Sequence, residues 1–277
     1  MRRLVIAVLL LLFASPLAHA QYPDPDYERI LLPTFWFGGG AGGSQWWSGF
    51  DLVSTESSFD LGGLPVLKDV SACPFFCPCE AKTHVERGKA ENICEKFEDS
   101  SGMLLWVPRS VSPQTVHTSL RVYDRSREGE RAGTQIPVVW ERDLYSGTIV
   151  LLDVKTEPRY RSAVRVYDAF LIETDFVFRF YDMAKYRAGD RELLLETVVR
   201  ARAGRPSGPP RFPLHPAIAA IPNIVAEWPQ LASVQSVAIE VTGTHAIVSP
   251  PQYDKRFYAL ATITNNTTHE VTAVAPR

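Results

Sequence analysis

The fold class is decided by a stretch near the C-terminus, which reads FYALATIT at residues 257–264. Successive side chains of a β-strand point to opposite faces, so apolar residues at every second position predict a strand with a buried face. That face would carry Phe257, Ala259, Ala261 and Ile263. The two asparagines that follow favour a turn, after which VTAV at 271–274 would return as a final strand. We therefore predict a C-terminal hairpin that belongs to a core.

Similar alternation occurs along most of the chain. It predicts strands at 116–123, 136–140 and 236–241, and the apolar run 148–154 suggests a strand buried on both faces. Pro137 has no backbone N–H, which would place its strand at a sheet edge. Short strands separated by turn residues are typical of sandwiches rather than of βαβ units. The sequence therefore predicts an all-β protein.

The 257 residues after position 20 are enough for two domains of about 130 residues or for one large domain. We expect two β-sandwich domains, Ig-like or jelly-roll-like. We expect the boundary to follow the apolar run, which gives domains at 21–157 and 158–277. Within the second domain, 218–221 suggests a short helix. Segment 190–202 suits either a helix or a strand, and its β-rich surroundings favour a strand.

The first twenty residues predict export. Arg2 and Arg3 precede a short apolar run, and Ala18-His19-Ala20 has the small-x-small pattern of a cleavage site. A bilayer span needs about 20 apolar residues, which this run does not supply, and no other stretch does. We expect a signal peptide at 1–20, no membrane span, and a periplasmic or secreted mature protein.

The charge of the chain is close to balanced, with 29 Lys and Arg against 31 Asp and Glu. Nucleic-acid binding normally requires a clustered basic face, so no nucleic-acid partner is expected. The glycine run at 38–43 lacks the Lys-Ser/Thr of a phosphate-binding loop, and neither a calcium loop nor a G-x-S-x-G elbow occurs. We expect no cofactor, no metal and no recognisable catalytic residue.

The four cysteines, Cys73, Cys77, Cys79 and Cys94, fall within one short segment. Their C-x3-C-x-C-x14-C spacing departs from that of zinc knuckles, and exported proteins meet an oxidising compartment. We predict two disulfides. Three pairings are open, of which the one joining Cys77 to Cys79 needs a strained small ring, and a zinc site is the alternative.

Trp46 and Trp47 follow the glycine run and are the candidate ligand platform. Neighbours on a strand point to opposite faces, so both cannot lie in one core. One of them would form an exposed platform for a sugar ring or a protein partner. The alternative is that the outer Trp packs under the glycine loop or against the second domain, because Trp is usually largely buried.

An apolar-Arg-apolar-Tyr-Asp pattern occurs three times, at 120–124, 164–168 and 178–182. In a strand, Arg and Tyr would share the face opposite the two apolar residues, and Asp would enter a turn. One interpretation is a solvated face on which the Arg stem covers the Tyr ring. The other is a functional Arg/Tyr surface.

Several stretches resemble a group of exported bacterial β-rich proteins whose function is not known. The stretches are YERILLP at 27–33 with GSQW at 43–46, SLRVYD at 119–124, PVV at 137–139, YALATITNNTT at 258–268 and VTAVAP at 271–276. The resemblance implies the fold and the export and supplies no site residue. We expect a non-enzymatic binding or structural module at the cell envelope or outside the cell, with carbohydrate or an envelope protein as partner. The alternative is a hydrolase of extracellular polymers, such as a glycosidase with two carboxylates.

Overall fold

The protein is described here by a computed structural model. It covers residues 24–35, 37–39, 43–62, 84–93, 102–126, 133–168, 174–202, 216–244 and 256–276. These residues form an all-β fold of antiparallel sheets, which confirms the predicted fold class.

The N-terminal strands form two sheets and a small ribbon. They are β1 (Tyr27–Pro33), β2 (Phe37–Gly39), β3 (Gln45–Ser54), β4 (Phe59–Asp60), β5 (His84–Val85), β6 (Ala90–Ile93), β7 (Gly102–Pro108), β8 (Val116–Asp124), β9 (Thr134–Ile136) and β10 (Val139–Trp140). One sheet has the order β10-β1-β7. The other has the order β2-β3-β8-β9, with β6 also paired to β3, and β4 pairs with β5.

The C-terminal strands form two four-stranded sheets. They are β11 (Thr148–Lys155), β12 (Tyr160–Asp168), β13 (Asp175–Asp182), β14 (Leu193–Arg200), β15 (Ala217–Ile221), β16 (Ser236–Thr244), β17 (Phe257–Asn265) and β18 (Val271–Val274). The orders are β11-β16-β13-β14 and β15-β12-β17-β18. We call the second of these the middle sheet.

The middle sheet packs on both faces. Phe257, Ala259 and Ala261 of β17 join the core shared with β11, β13 and β16. The intervening Tyr258 and Leu260 join a second core, which is built on β1, β3 and β7. The alternation predicted for this strand is confirmed, and the predicted hairpin forms because β18 pairs with β17. The alternation alone predicted a core on only one face of this strand.

Strand β11 pairs with β16 along Thr148–Lys155, although it precedes the expected domain boundary at 157. Its fully buried side chains are those of Ile149, Leu151 and Val154, whereas Val150 and Leu152 are only half-buried. The prediction of a strand buried on both faces is therefore wrong. The physical reason is that the outer face of β11 is only partly covered, where Leu152 packs against a small cluster of Tyr181, Met183 and Ala238.

The structure gives the outcome of three further local predictions. The segment around Pro137 is divided between two sheets, because β9 pairs with β8 and β10 pairs with β1. Residues 217–221 form β15 rather than a helix, and their small side chains at Ala217 and Ala219 pack into the core against β12. The ambiguous segment 190–202 contains β14, as its surroundings favoured.

The α-helices in the described part of the chain are short. Helix α1 (Met183–Arg187) follows Asp182, whose carboxylate accepts hydrogen bonds from the N–H groups of Ala184 and Lys185. Helix α2 (Ile224–Glu227) is capped in the same way by Asn223. Such side-chain acceptors satisfy the first N–H groups of a helix, which have no partner inside it. No helix in the described ranges is long and apolar enough to cross a membrane.

Candidate functional site

A cavity of about 610 Å3 lies between the middle sheet and the N-terminal strands, and we call it the interlayer cavity. Its volume is within the range of about 300–1,000 Å3 that is usual for small-molecule sites. The described residues that line it are Thr34, Gly39, Ser44, Trp46, Val122, Ile136, Arg161, Ala163, Arg165, Thr262, Thr264, Asn266, His269 and Val271.

The middle sheet forms a polar wall of this cavity. The cross-strand pairs of β12 and β17 on this face are Tyr167–Tyr258, Arg165–Leu260, Ala163–Thr262 and Arg161–Thr264. At one end the tyrosines and Leu260 are buried against the N-terminal core. At the other end the two arginines and the two threonines line the cavity. This face of the middle sheet is therefore buried against the N-terminal core at one end and lined with polar side chains at the other.

Trp46 belongs to the opposite wall. It is half-buried on β3 and packs against the N-terminal core, so its ring is held in place by apolar contacts. Its pairing partner in β2 is Gly38. Val122 and Ile136 add apolar surface nearby. The wall is therefore aromatic and aliphatic and faces the polar side chains of the middle sheet.

Thr34, which follows β1, forms hydrogen bonds with residues of both walls. It has a positive φ of 57°, which is uncommon outside glycine. Its N–H donates to the hydroxyl oxygen of Tyr167 at 3.1 Å, and its carbonyl accepts from the Ser48 hydroxyl at 3.0 Å. Burial raises the pKa of Tyr167 to about 12, so the phenol stays neutral. These bonds fix the closed end of the cavity.

The position of Tyr167 corrects one interpretation of the repeated Arg-Tyr-Asp pattern. In the copy at 164–168, Tyr167 is fully buried, so this face is not a solvated one. Its companion Arg165 lines the interlayer cavity. In the copy at 178–182, Tyr181 is also buried, and its hydroxyl donates to Glu240 at 3.2 Å. The sequence could not predict the burial of these tyrosines, because the sequence of a strand does not show which other segment of the chain packs on its outer face.

Trp47 lies on the other face of β3, as strand geometry requires. It is half-buried, and the guanidinium of Arg125 lies over its ring at 4.3 Å from the centroid. In β8 its partner is Tyr123. The structure thus separates the two members of the predicted platform: Trp46 lines the cavity, whereas Trp47 is stacked with a cation on the outer face. Which of them contacts a ligand stays a prediction.

The C-terminal hairpin forms a rim of the cavity. Asn265 accepts hydrogen bonds from the N–H groups of Thr267 and Thr268, which closes the turn. His269 has a positive φ of 58° and lines the cavity. The Thr134 hydroxyl donates to the carbonyl of Val271 at 2.7 Å and joins this hairpin to β9. The N-terminal and C-terminal strands therefore meet at the rim.

The charges around the interlayer cavity are of one sign. Among the described residues that line it, none is Asp or Glu. Arg161 donates to the Pro222 carbonyl and Arg165 to the Thr262 hydroxyl, each at 3.4 Å. Neither arginine forms an ion pair with a carboxylate in the described part of the chain. Neither arginine was predicted from sequence as a site residue, because only the pairing of β12 with β17 brings them beside Thr262 and Thr264.

A second cavity, of about 880 Å3, opens at the edge of the C-terminal sheets between β11 and β18. Asp153 lines it, in a strained conformation with φ of 62° at a bulge, and pairs with Lys155 at 2.9 Å. Arg187 lies 4.0 Å from the same carboxylate. The carboxylate of Asp153 in this cavity is therefore already paired with cations of the protein itself. Within the described ranges, neither cavity presents the two facing carboxylates that a glycosidase needs.

The cysteine segment cannot be compared with its prediction. Cys73, Cys77, Cys79 and Cys94 all lie outside the described residues, as does the expected signal peptide at 1–20. In the part of the chain that is described, His, Cys, Asp and Glu form no group that could hold a metal ion. The two predicted disulfides stay a prediction.

Comparisons of the chain with known protein families, with characterised proteins and with solved structures find no match. The resemblance to exported β-rich proteins therefore stays a prediction. The case for a function rests on the residues of the interlayer cavity.

Proposed function

We propose that this chain is an exported, non-enzymatic binding module of the cell envelope or the extracellular space, and that it binds carbohydrate in the interlayer cavity. The observation that carries the proposal is the composition of the two walls. Trp46, which packs against the N-terminal core, lines the same space of about 610 Å3 as a row of hydroxyl and guanidinium groups. Ligand sites commonly combine apolar and aromatic surface with a few fixed polar groups.

Sugars match such a pair of walls better than a purely apolar ligand would. One side of a sugar ring presents C–H groups, which pack on the face of an aromatic ring. Its edge presents hydroxyl groups, which need donors and acceptors when they leave water. Thr262, Thr264 and Asn266 offer both kinds of group. The expected N-terminal signal peptide would deliver the protein to a compartment in which polysaccharides occur.

Replacement of Trp46 tests the proposal directly. A screen of the mature protein against glycans and peptidoglycan fragments is expected to identify at least one ligand with saturable binding. Trp46→Leu retains an apolar contact with the core but removes the aromatic face. We expect the affinity for that ligand to fall by about tenfold or more, as for a buried aromatic anchor. Isothermal titration calorimetry measures the change.

Trp47→Leu is the matched control, because it alters the neighbouring residue on the opposite face of the same strand. Its affinity is expected to stay within about twofold of the wild type. Equal losses in both variants, or a loss only in Trp47→Leu, would contradict the assignment of the cavity. Thermal unfolding of each variant shows whether it is folded, and Trp46→Phe, which keeps an aromatic face, should retain most of the affinity.

A further inference from the structure

We infer that the ligand of the interlayer cavity is an acidic oligosaccharide, whose carboxylate groups are bound by Arg161 and Arg165. The inference rests on the proposed function and specifies its ligand. It follows from the placement of the two arginines, from their charge environment and from the chemistry of the guanidinium group.

The two arginines stand on the same face of β12, four residues apart. Their Cα atoms are separated by about 13 Å along the strand, at about 3.3 Å per residue. Ala163 lies between them, and its short side chain leaves space above the strand. Thr262 and Thr264 flank this space from β17. The wall therefore offers a shallow floor between two cations, long enough for more than one sugar ring.

The cations of this wall are not neutralised by a described carboxylate. Arg179, which occupies the same position in another copy of the Arg-Tyr-Asp pattern, donates to Glu196 at 2.6 Å. Arg165 instead has only the neutral Thr262 hydroxyl as its described acceptor, at 3.4 Å. Arg161 is exposed and Arg165 is half-buried. Two like charges beside one cavity attract an anion, and the field is concentrated most at the half-buried Arg165.

Guanidinium groups favour carboxylates and phosphates in particular. The planar fork of Arg matches the two oxygens of such a group and forms paired hydrogen bonds. Arg165 is half-buried, so its charge is screened less by salt than that of a fully exposed side chain. A carboxylated sugar satisfies this requirement and also presents a ring to Trp46. An inorganic anion can pair with the guanidinium groups but has no ring to pack on Trp46.

The test compares trigalacturonic acid with galactotriose, a matched neutral trisaccharide, by calorimetry at low ionic strength. We expect the acid to bind at least about tenfold more tightly than the neutral sugar. In the Arg161→Gln/Arg165→Gln double variant this preference should fall to about threefold or less. Arg179→Gln removes an arginine of the same sequence pattern outside the cavity and should keep the preference.

The results test the acidic ligand and the proposed carbohydrate site separately. Equal binding of the two trisaccharides, or an unchanged preference in the double variant, would overturn the acidic ligand and leave the proposed carbohydrate site standing. Acetate or inorganic phosphate that binds as tightly as trigalacturonic acid would show a simple anion site and overturn the inference. Failure of trigalacturonic acid to bind would also overturn it. If, in addition, no glycan binds in a Trp46-dependent way, the proposed function fails too.

Discussion

Replacing Glu141 by Gln is expected to lower the free energy of unfolding by about 3–5 kcal/mol, the usual cost of breaking a buried ion pair. The side chains of Arg29 and Glu141 are 1% and 7% exposed, and two parallel hydrogen bonds of 3.1 and 2.9 Å join them. The N–H of Arg29 donates to the same carboxylate. The neutral amide would remove the negative charge that lies beside the buried guanidinium and would weaken both hydrogen bonds from it. Urea unfolding at pH 7 measures the change.

Glu196→Gln is the control, since its ion pair with Arg179 is exposed on the outer face of β13 and β14. Exposed pairs contribute about 0–1 kcal/mol, so little change is expected. Burial would raise the pKa of Glu141, but hydrogen bonds and charge from Arg29 outweigh it and lower the pKa below the usual value of 4.5. Its stabilisation is complete above that value and is lost as pH falls through the folded-state pKa. A Glu141→Gln deficit no larger than that of Glu196→Gln at pH 7 would contradict the account.

Gly102→Ala is expected to destabilise the protein by about 1–3 kcal/mol or more, because it adds a methyl group where no space exists. A Cβ atom at Gly102 would lie 2.7 Å from a ring carbon of Tyr167. That ring is fully buried between β7 and the middle sheet, so it cannot move aside without opening the junction of the two cores. Chemical denaturation detects the loss, and the unfolding transition should stay cooperative.

Gly49→Ala is the matched control, because Gly49 also lies within a strand and its Cβ would meet only the Tyr123 ring, at 3.8 Å. That is an ordinary contact, and a strand glycine is itself somewhat unfavourable, so the control should be neutral or slightly stabilising. If Gly102→Ala proves as stable as Gly49→Ala, β7 and the middle sheet do not approach as closely as described.

The strands could be predicted from sequence because alternation along a strand is a local property. The stretch FYALATIT at 257–264 indicated which residues share a face, and the opposite placement of Trp46 and Trp47 followed from strand geometry alone. Pro137 predicted a strand at a sheet edge, because a proline cannot donate to a ladder. The structure divides its segment into β9 and β10, each of which lies at the edge of a different sheet.

The sequence could not predict which sheets pack against each other. Tyr167 and Tyr258 alternate with apolar residues and look like solvent-facing positions, but the N-terminal core covers them. The cavity depends on the pairing of β12 with β17 and on the approach of Trp46 from a distant part of the chain, and neither is visible in any one segment. Residues 217–221 have the composition of a helix and become a strand because β12 supplies a partner.

If an acidic oligosaccharide binds in the interlayer cavity against Trp46, the indole N–H signals of the protein report this binding most directly. The chain has six tryptophans, and the Trp46→Leu and Trp47→Leu variants identify two of the six signals in a 15N–1H spectrum. On titration with trigalacturonic acid, we predict a saturable shift of the Trp46 signal and no shift of the Trp47 signal. A shift of Trp47 with Trp46 unchanged, or no shift of either signal, would contradict the account.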